Sequence, residues 1–352
     1  MNHRVQIVGA TGYGGLGILE LLLAHPRFDV TSLIAREEAG RQISEIYPHL
    51  SGYTGLTVDS ADDTPIGTDC DIVVFSTPDR VSQSYAPALV NSGMRFIDYS
   101  GDFRFASAED YGQYAARHPS ITGNEHDAEA LLKISTYGVS ELDPEGIAKA
   151  SIVGNPGCFA VGIILGLAPL FHDGLVGDDG IVAVDGLSGS SGAGKKPAPL
   201  QHLSHLNDNI IPYRLLSHQH AIEANLTLGR LGRSEGAQID FIPHLLGTTR
   251  GILSTMHLRL KQAMERDTLL DRYRDYFGNA PFVRILEGPP TLKGTLGSNY
   301  CDISLFVEGN RVVVISSIDN LMKGQSGSAM QNLNLMFGIP QTTGLDRAPL
   351  YP

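Results

Sequence analysis

One cysteine in this sequence is placed where a reactive thiol would be. The run Ile152-Val153 leads into the turn Gly154-Asn155-Pro156-Gly157. Cys158-Phe159-Ala160-Val161 then opens a long apolar stretch that reaches Pro169. A β-branched run, a Gly/Pro turn and a segment with helical potential put Cys158 at a strand-to-helix junction. The free N–H groups and dipole of a helix N-terminus favour a thiolate, and a thiolate is an intrinsically strong nucleophile. A small buried hydrophobe is the ordinary fate of a free cysteine. A turn residue before a helix is not an ordinary core position, so Cys158 reads as the nucleophile. Cys70, at a strand start, and Cys301, within a strand, read as core. Three sparse cysteines do not make a disulfide framework and point to a reducing compartment.

A partner for the thiol is found in Ser217-His218-Gln219-His220-Ala221-Ile222-Glu223. His220 and Glu223 are three apart and share one face of a helix. The dipole at a helix start disfavours imidazolium, which suits a neutral imidazole acting as base near pH 7. Glu223 would orient it, and His218 is the competing base. A zinc site from His202, His205, His218 and His220 lacks any established ligand spacing. No metal is expected, and His202 and His205 read as exposed loop residues.

Two glycine-rich loops address phosphate. Gly9-Ala10-Thr11-Gly12-Tyr13-Gly14-Gly15 lies between the strand Val5–Val8 and a helix beginning near Ile18. In that context Gly9 and Gly12 would let the backbone approach a pyrophosphate at the helix N-terminus. A tight turn without ligand is the competing reading. The second strand ends in Ala35-Arg36, where a carboxylate would mark NAD. Arg36 would instead pair with a 2′-phosphate and favour NADP; a solvated strand-end arginine competes. The second loop, Ser188-Gly189-Ser190-Ser191-Gly192-Ala193-Gly194-Lys195-Lys196, follows a strand. It offers N–H groups, hydroxyls and cations suited to phosphate, although it lacks the order of a P-loop.

The elements that must position these groups fall into two grammars. Up to about residue 157, apolar runs such as Asp71–Phe75, followed by Ser76-Thr77-Pro78, alternate with helices. That pattern gives a doubly wound parallel sheet of the Rossmann type. Beyond it, residues 180–185, 237–242, 252–258, 302–307 and 311–316 read as strands with few helices between, an α+β domain with a mixed sheet. The expected domains are therefore 1–157 and 158–321. The stretch from about 322 to 352, with a helix over 325–337, is expected to return to the first domain. A formal net charge of −12 argues against nucleic acid. The longest apolar stretch, residues 159–171, is too short to span a bilayer. No leader precedes the first strand, so a cytoplasmic protein is expected. An exposed face of the second sheet would make a homo-oligomer, dimer or tetramer.

Together these segments resemble the N-acetyl-gamma-glutamyl-phosphate reductase family, within the superfamily of aspartate-semialdehyde dehydrogenase. The resemblance covers nearly the whole chain. It rests on the turn Gly9–Gly15, on Asp98-Tyr99-Ser100-Gly101-Asp102-Phe103-Arg104 and on Gly154–Ala160. Ser188–Gly194, His218-Gln219-His220 with Glu223, Arg250-Gly251-Ile252-Leu253 and Ile318–Gly324 extend it. It implies a dehydrogenase/dimerisation role for the second domain. It also implies NADPH-dependent reduction of an acyl phosphate to an aldehyde through a Cys158 thioester, in arginine biosynthesis. The resemblance carries the cofactor to Gly9, Thr11, Gly12, Tyr13, Gly14, Gly15, Arg36, Ser76, Pro78, Ser191, Gly192 and Asn320. It carries the substrate to Arg104, Ser188 and His218. The chain departs from the family pattern at Val161, at Pro78-Asp79-Arg80, at Ser140 and at Gly247, positions expected to bear on the acyl group. Two alternatives follow: a reductase of a related acyl phosphate, and a non-catalytic NADP-binding sensor.

Overall fold

The computed structural model describes residues 2–177, 180–232 and 237–351. The chain forms two compact units. One holds residues 1–112, 121–156 and 325–346; the other holds 113–120, 157–324 and 347–352.

Seven strands build the first unit's sheet. They are β1 (His3–Val8), β2 (Phe28–Ile34), β3 (Val58–Asp59), β4 (Ile72–Phe75), β5 (Arg95–Asp98), β6 (Ser135–Tyr137) and β7 (Ile152–Gly154). Their order is β3-β2-β1-β4-β5-β7-β6, and every pairing is parallel. β4 is buried along its whole length, as a strand covered on both faces must be. The order reverses at β1, which has β2 on one side and β4 on the other. The crevice at the C-terminal end of such a switch point is where doubly wound sheets bind ligands. The Gly9–Gly15 turn and Ser76 emerge there. The helix Gly327–Met336 belongs to this unit, and Ser326 Oγ donates to Gly14 O at 3.1 Å.

The second unit carries β8 (Ile181–Gly189), β9 (Ile210–Pro212), β10 (Gln238–Leu246), β11 (Ile252–Arg259), β12 (Val283–Ile285), β13 (Cys301–Glu308) and β14 (Arg311–Ile318). The order is β12-β13-β14-β11-β8-β10-β9. β8 pairs with β10, and β12 with β13, in parallel; the other pairings are antiparallel. The helix Cys158–His172 is buried at every position from Phe159 to Phe171, so it is a core helix with no solvent face. Along β8 and β11 buried and more exposed residues alternate. One face of these strands is therefore core and the other is more exposed.

Four short strands escape sequence reading: β3, β6, β9 and β12. Each is two or three residues long and shows no period. The helix Arg266–Tyr276 also escapes, because only Leu269, Leu270 and Tyr273 of its residues are buried. The expected terminal helix starts two residues later than its pattern suggests, after a π-helical turn at Met322–Ser326.

Candidate active site

Cys158 is placed by β7, a three-residue turn and a helix that begins at Cys158 itself, with Gly157 as its N-cap. Cys158 is partly exposed, whereas Cys70 and Cys301 are buried. Burial pushes the Cys70 thiol up to about 11. No acidic side chain occupies the first turn of the Cys158 helix, so its free N–H groups face no competing carboxylate of their own turn.

His220 and Glu223 lie in the first turn and a half of the helix Gln219–Arg230 and converge on the residue before the cysteine. A β-carbon on Gly157 would stand 2.4 Å from His220 Nε2 and 2.9 Å from Glu223 Oε2. Glycine is therefore the residue that lets the imidazole come so close. Glu223 is 1% exposed, and its Oε1 accepts the Gly157 N–H at 2.8 Å. The sequence suggests that Glu223 orients the imidazole; this bond adds a second task, holding the turn that presents Cys158.

His218 plays a different part. It is the N-cap of the histidine helix, and its Nδ1 accepts the His220 N–H at 3.2 Å. Its ring packs among Phe159, Phe241 and His220, with centroids 5.8, 5.4 and 4.7 Å away. Burial first, and then the charges of Arg214 and His118, push it down to about 3. A capping imidazole of that kind stays neutral throughout the working range and accepts no proton from a thiol. We therefore expect His220→Asn to lower turnover by about 10²–10⁴-fold. His218→Asn, which keeps a capping side chain, is expected to cost far less. Steady-state assays of the two variants check this, and the opposite ranking would move the acid–base role to His218. The same depression works against the fold in acid. The unfolded chain binds a proton below about pH 6.5 that the folded His218 takes up only near pH 3, so stability falls through that window.

The Gly/Ser loop meets the segment Asp319–Gly324. Asn320 Nδ2 donates to Ser191 Oγ at 2.9 Å, and Asn320 Oδ1 accepts the Gly251 N–H at 2.7 Å. Ser188 Oγ lies within 3.3 Å of where a Gly192 β-carbon would be. Ser188, Ser191, Gly192 and Asn320 thus lie together. At the other end of this segment, a β-carbon on Gly324 would stand 2.9 Å from Cys158 Cβ. One buried loop therefore touches both the Gly/Ser loop and Cys158. Asp319, fully buried, anchors it by accepting from the main chain of Leu321 and Gly297 and pairing with Arg250 at 3.1 Å.

In the first unit the three spaced glycines divide the work. Gly9 has φ +83°, and a β-carbon there would strike Ser76 O at 2.2 Å; one on Gly15 would strike Gly9 O at 2.3 Å. Those two are required by the chain's own packing. Gly12 is not: a β-carbon there would meet only Gly9 O, at 3.6 Å. Its bareness leaves the approach to the helix Tyr13–Leu23 open. That helix has neither a capping side chain nor an acidic residue in its first turn. Beside the turn, the buried Thr77 Oγ1 and Gln325 Oε1 have no hydrogen-bond partner; Gln325 reaches to within 2.9 Å of a Gly14 β-carbon. Orphaned buried polar atoms of this kind call for a bound polar group, so the turn fits a dinucleotide. Sequence reasoning missed both residues, because a lone Thr and a lone Gln carry no motif. Thr11 and Tyr13 are partly exposed at the turn, Pro78 is exposed, and Arg36 is exposed just past the end of β2.

The Asp98–Arg104 segment is mostly a structural knot. Asp102, fully buried, accepts from Arg80 N at 2.6 Å, Ser82 Oγ at 3.0 Å and Gln83 Nε2 at 2.7 Å. Burial, and after it the neighbouring Asp102 charge, raises Asp98. Arg104 is 7% exposed and donates to the carbonyls of Asn155 at 2.7 Å and Tyr99 at 2.6 Å. Both of these bonds go to main-chain oxygens. Two of the departures from the family pattern are core positions. Val161 is fully buried, and Ser140, 2% exposed, bonds to Asn332 Oδ1 at 2.8 Å. Neither offers surface to a ligand. Tyr213, missed from sequence, packs against His218 with centroids 5.9 Å apart. Burial, and then repulsion from Cys158 in its ionised form, raises its phenol.

Comparison with known proteins bears on these two sites. A family model described as the semialdehyde dehydrogenase NAD binding domain matches residues 4–150, and one described as its dimerisation domain matches residues 158–320. N-acetyl-gamma-glutamyl-phosphate reductase of Bacillus cereus (strain B4264) is 40% identical, with 99% of each chain covered. The chain belongs to the N-acetyl-gamma-glutamyl-phosphate reductase family. A second relative of that name, from Geobacillus sp. (strain WCH70), is 38% identical over 99% of this chain and 100% of its own. Among solved structures, aspartate semialdehyde dehydrogenase II from Vibrio cholerae superposes with a TM-score of 0.73 at 17% identity, covering 96% of this chain and 99% of that one. The aspartate semialdehyde dehydrogenase with NADP from Candida albicans gives 0.69, again at 17% identity and with 96% and 99% covered. These two likenesses establish the fold. As a member of this family the chain is an oxidoreductase with a nicotinamide cofactor domain. Among the described residues no group of three or more His, Cys, Asp or Glu could hold a metal ion, and no helix is long and apolar enough to cross a membrane.

Proposed function

We propose that this chain reduces N-acetyl-glutamyl 5-phosphate to N-acetyl-glutamate 5-semialdehyde with release of phosphate, using NADPH, as a cytoplasmic enzyme of arginine biosynthesis. The observation that carries the reading is the convergence of His220 and Glu223 on Gly157, directly before a cysteine that starts a helix, in a chain of this family.

The Cys158 thiolate attacks the acyl carbon. The bond from that carbon to the phosphate oxygen breaks, phosphate leaves, and a thioester joins the acyl group to the sulfur. When bound, the nicotinamide cofactor would supply hydride to the thioester carbon. His220 gives a proton to the oxygen on that carbon and takes it back as the carbon–sulfur bond breaks, so aldehyde leaves and the thiolate is restored. Covalent attachment holds the reacting carbon in place, which removes much of the entropic barrier to the second step. The Gly9–Gly15 turn, Ser76, Thr77 and Gln325 would hold the cofactor in the first unit. Ser188, Ser191, Gly192 and Asn320 would line the polar loop next to Cys158.

The test is a reverse assay with the semialdehyde, phosphate and NADP, followed as reduced cofactor. Turnover that depends on phosphate and on the N-acetyl group is expected, and none with aspartate semialdehyde. Arg36, exposed at the end of β2, supports the 2′-phosphate. NADP is expected to outperform NAD by at least about tenfold, or ~1.4 kcal/mol, with Arg36→Ala narrowing the gap. Equal use of both dinucleotides would remove Arg36 from the cofactor site.

The more exposed face of the second sheet supports a homo-oligomer. Ile181 and Phe306 are 54% and 37% exposed there and line a depression of about 550 Å³ with Val313. A second copy covering that face would bury them, which light scattering reads directly.

A further inference from the structure

The loop that leads into the histidine helix is held in an unusual way. Arg214 and Leu216 have φ of +48° and +54°, the left-handed region that non-glycine residues avoid. Such conformations persist only where the surroundings over-determine them, and they gather at functional sites. Here the surroundings are identifiable. Residues 113–120 belong to the second unit although the chain on either side belongs to the first. Within that excursion Arg117 donates from Nη1 to Leu216 O at 2.7 Å. Arg214 donates back from Nη2 to Arg117 O, and the same nitrogen reaches Ser217 O at 3.1 Å. Its Nη1 donates to Gln219 Oε1. Each arginine thus grips a main-chain carbonyl of the other's segment. The Arg214 fork joins three pieces: the excursion, the strained loop and the first residue of the helix. His218 follows the loop by one residue, caps the helix and receives the His220 N–H.

We propose that Arg117 and Arg214 form a reciprocal latch that sets the entry angle of the helix Gln219–Arg230, and that Arg214 is thereby a positioning residue for His220. This rests on the reading of His220 as the acid–base group. A planar fork spanning three acceptors is what makes the latch rigid; the point charge of lysine cannot reproduce it.

The test uses the full-length chain with Arg214→Met, Arg214→Lys and Arg117→Met, each also combined with His220→Asn. Arg214→Met is expected to lower kcat by about 10²-fold, the effect of misplacing a reacting group by an ångström, with the KM for NADP within twofold of the parent. Arg214→Lys recovers little of this, and Arg117→Met gives an intermediate loss. In the His220→Asn background the Arg214 change is expected to cost nothing further. A parental kcat in Arg214→Met, or full additivity in the double variant, would overturn the latch. An independent readout is the imidazole NMR titration of His218 without ligand. The titratable and charged groups around that ring are Arg214, His118, His220 and Tyr213. Removing the Arg214 charge is expected to move its midpoint upward, and an unmoved midpoint would show that the guanidinium is not where the latch needs it. If His220→Asn alone retains full activity while the titration shifts as expected, the acid–base reading has failed and the latch geometry stands.

Discussion

Replacing Cys158 with serine is expected to abolish reduction of the acyl phosphate, lowering turnover by at least about 10³-fold, as removal of an enzymatic nucleophile does. A hydroxyl at the same place has the geometry but not the acidity. His220 then has to remove a proton held several orders of magnitude more tightly than that of a thiol. Cofactor binding is expected to be unchanged, since the turn that fits the dinucleotide lies in the other unit. Stability should hardly move, because the side chain is partly exposed and the substitution nearly isosteric. Dinucleotide titration with the inactive variant checks both expectations together. Normal turnover would refute the nucleophile. Thiol labelling adds a control within the same chain. At neutral pH a small alkylating reagent should modify Cys158 and leave Cys70 and Cys301, which are 6% and 0% exposed. An unreactive Cys158 would favour the cofactor-binding sensor over the enzyme.

Adding one methyl group at Gly157 is expected to be nearly as damaging. The alanine β-carbon would fall 2.4 Å from His220 Nε2, well inside van der Waals contact, so the imidazole or the turn must move. A shift of about an ångström in a reacting group costs roughly 10²-fold in rate. The helix itself should tolerate the change with a loss of about 1 kcal/mol, the difference between a glycine and an alanine N-cap. Gly157→Ala should therefore fold, melt close to the parent and still be alkylated at Cys158, while kcat falls by about two orders of magnitude. Parental kcat in a folded variant would mean that His220 does not stand where the chemistry needs it. Acyl specificity is a separate matter. The burial of Ser140 and Val161 removes them from it, which leaves the Pro78-Asp79-Arg80 turn and Gly247 as the departures that a substrate panel with other acyl phosphates would probe.

The sequence by itself determined the parts whose physics is local. The β1 run, the spaced glycines and the following apolar helix specify a βα turn through periodicity and backbone freedom, with no help from distant residues. Cys158 was legible because a turn before an apolar helix is an odd place for a core cysteine. His220 and Glu223 were legible because three residues of helix put them on one face. The long strands of both sheets were legible as apolar, β-branched runs.

Tertiary structure alone decided which groups meet and what each one then does. Gly157 looked like a turn residue and proved to be where His220 packs against the turn before Cys158. Glu223 reaches a main-chain N–H 66 positions away. His218 and His220 are two apart in the chain, yet one is a buried cap and the other a partly exposed imidazole. Burial and a neighbouring guanidinium make that difference, and neither is a property of the sequence window. Thr77, Gln325, Tyr213 and Arg214 had no signal to find, because a hydrogen bond or a ring contact between distant segments leaves no period and no motif. Local chemistry is written in neighbouring residues; proximity across the fold is set by the free energy of packing the whole chain.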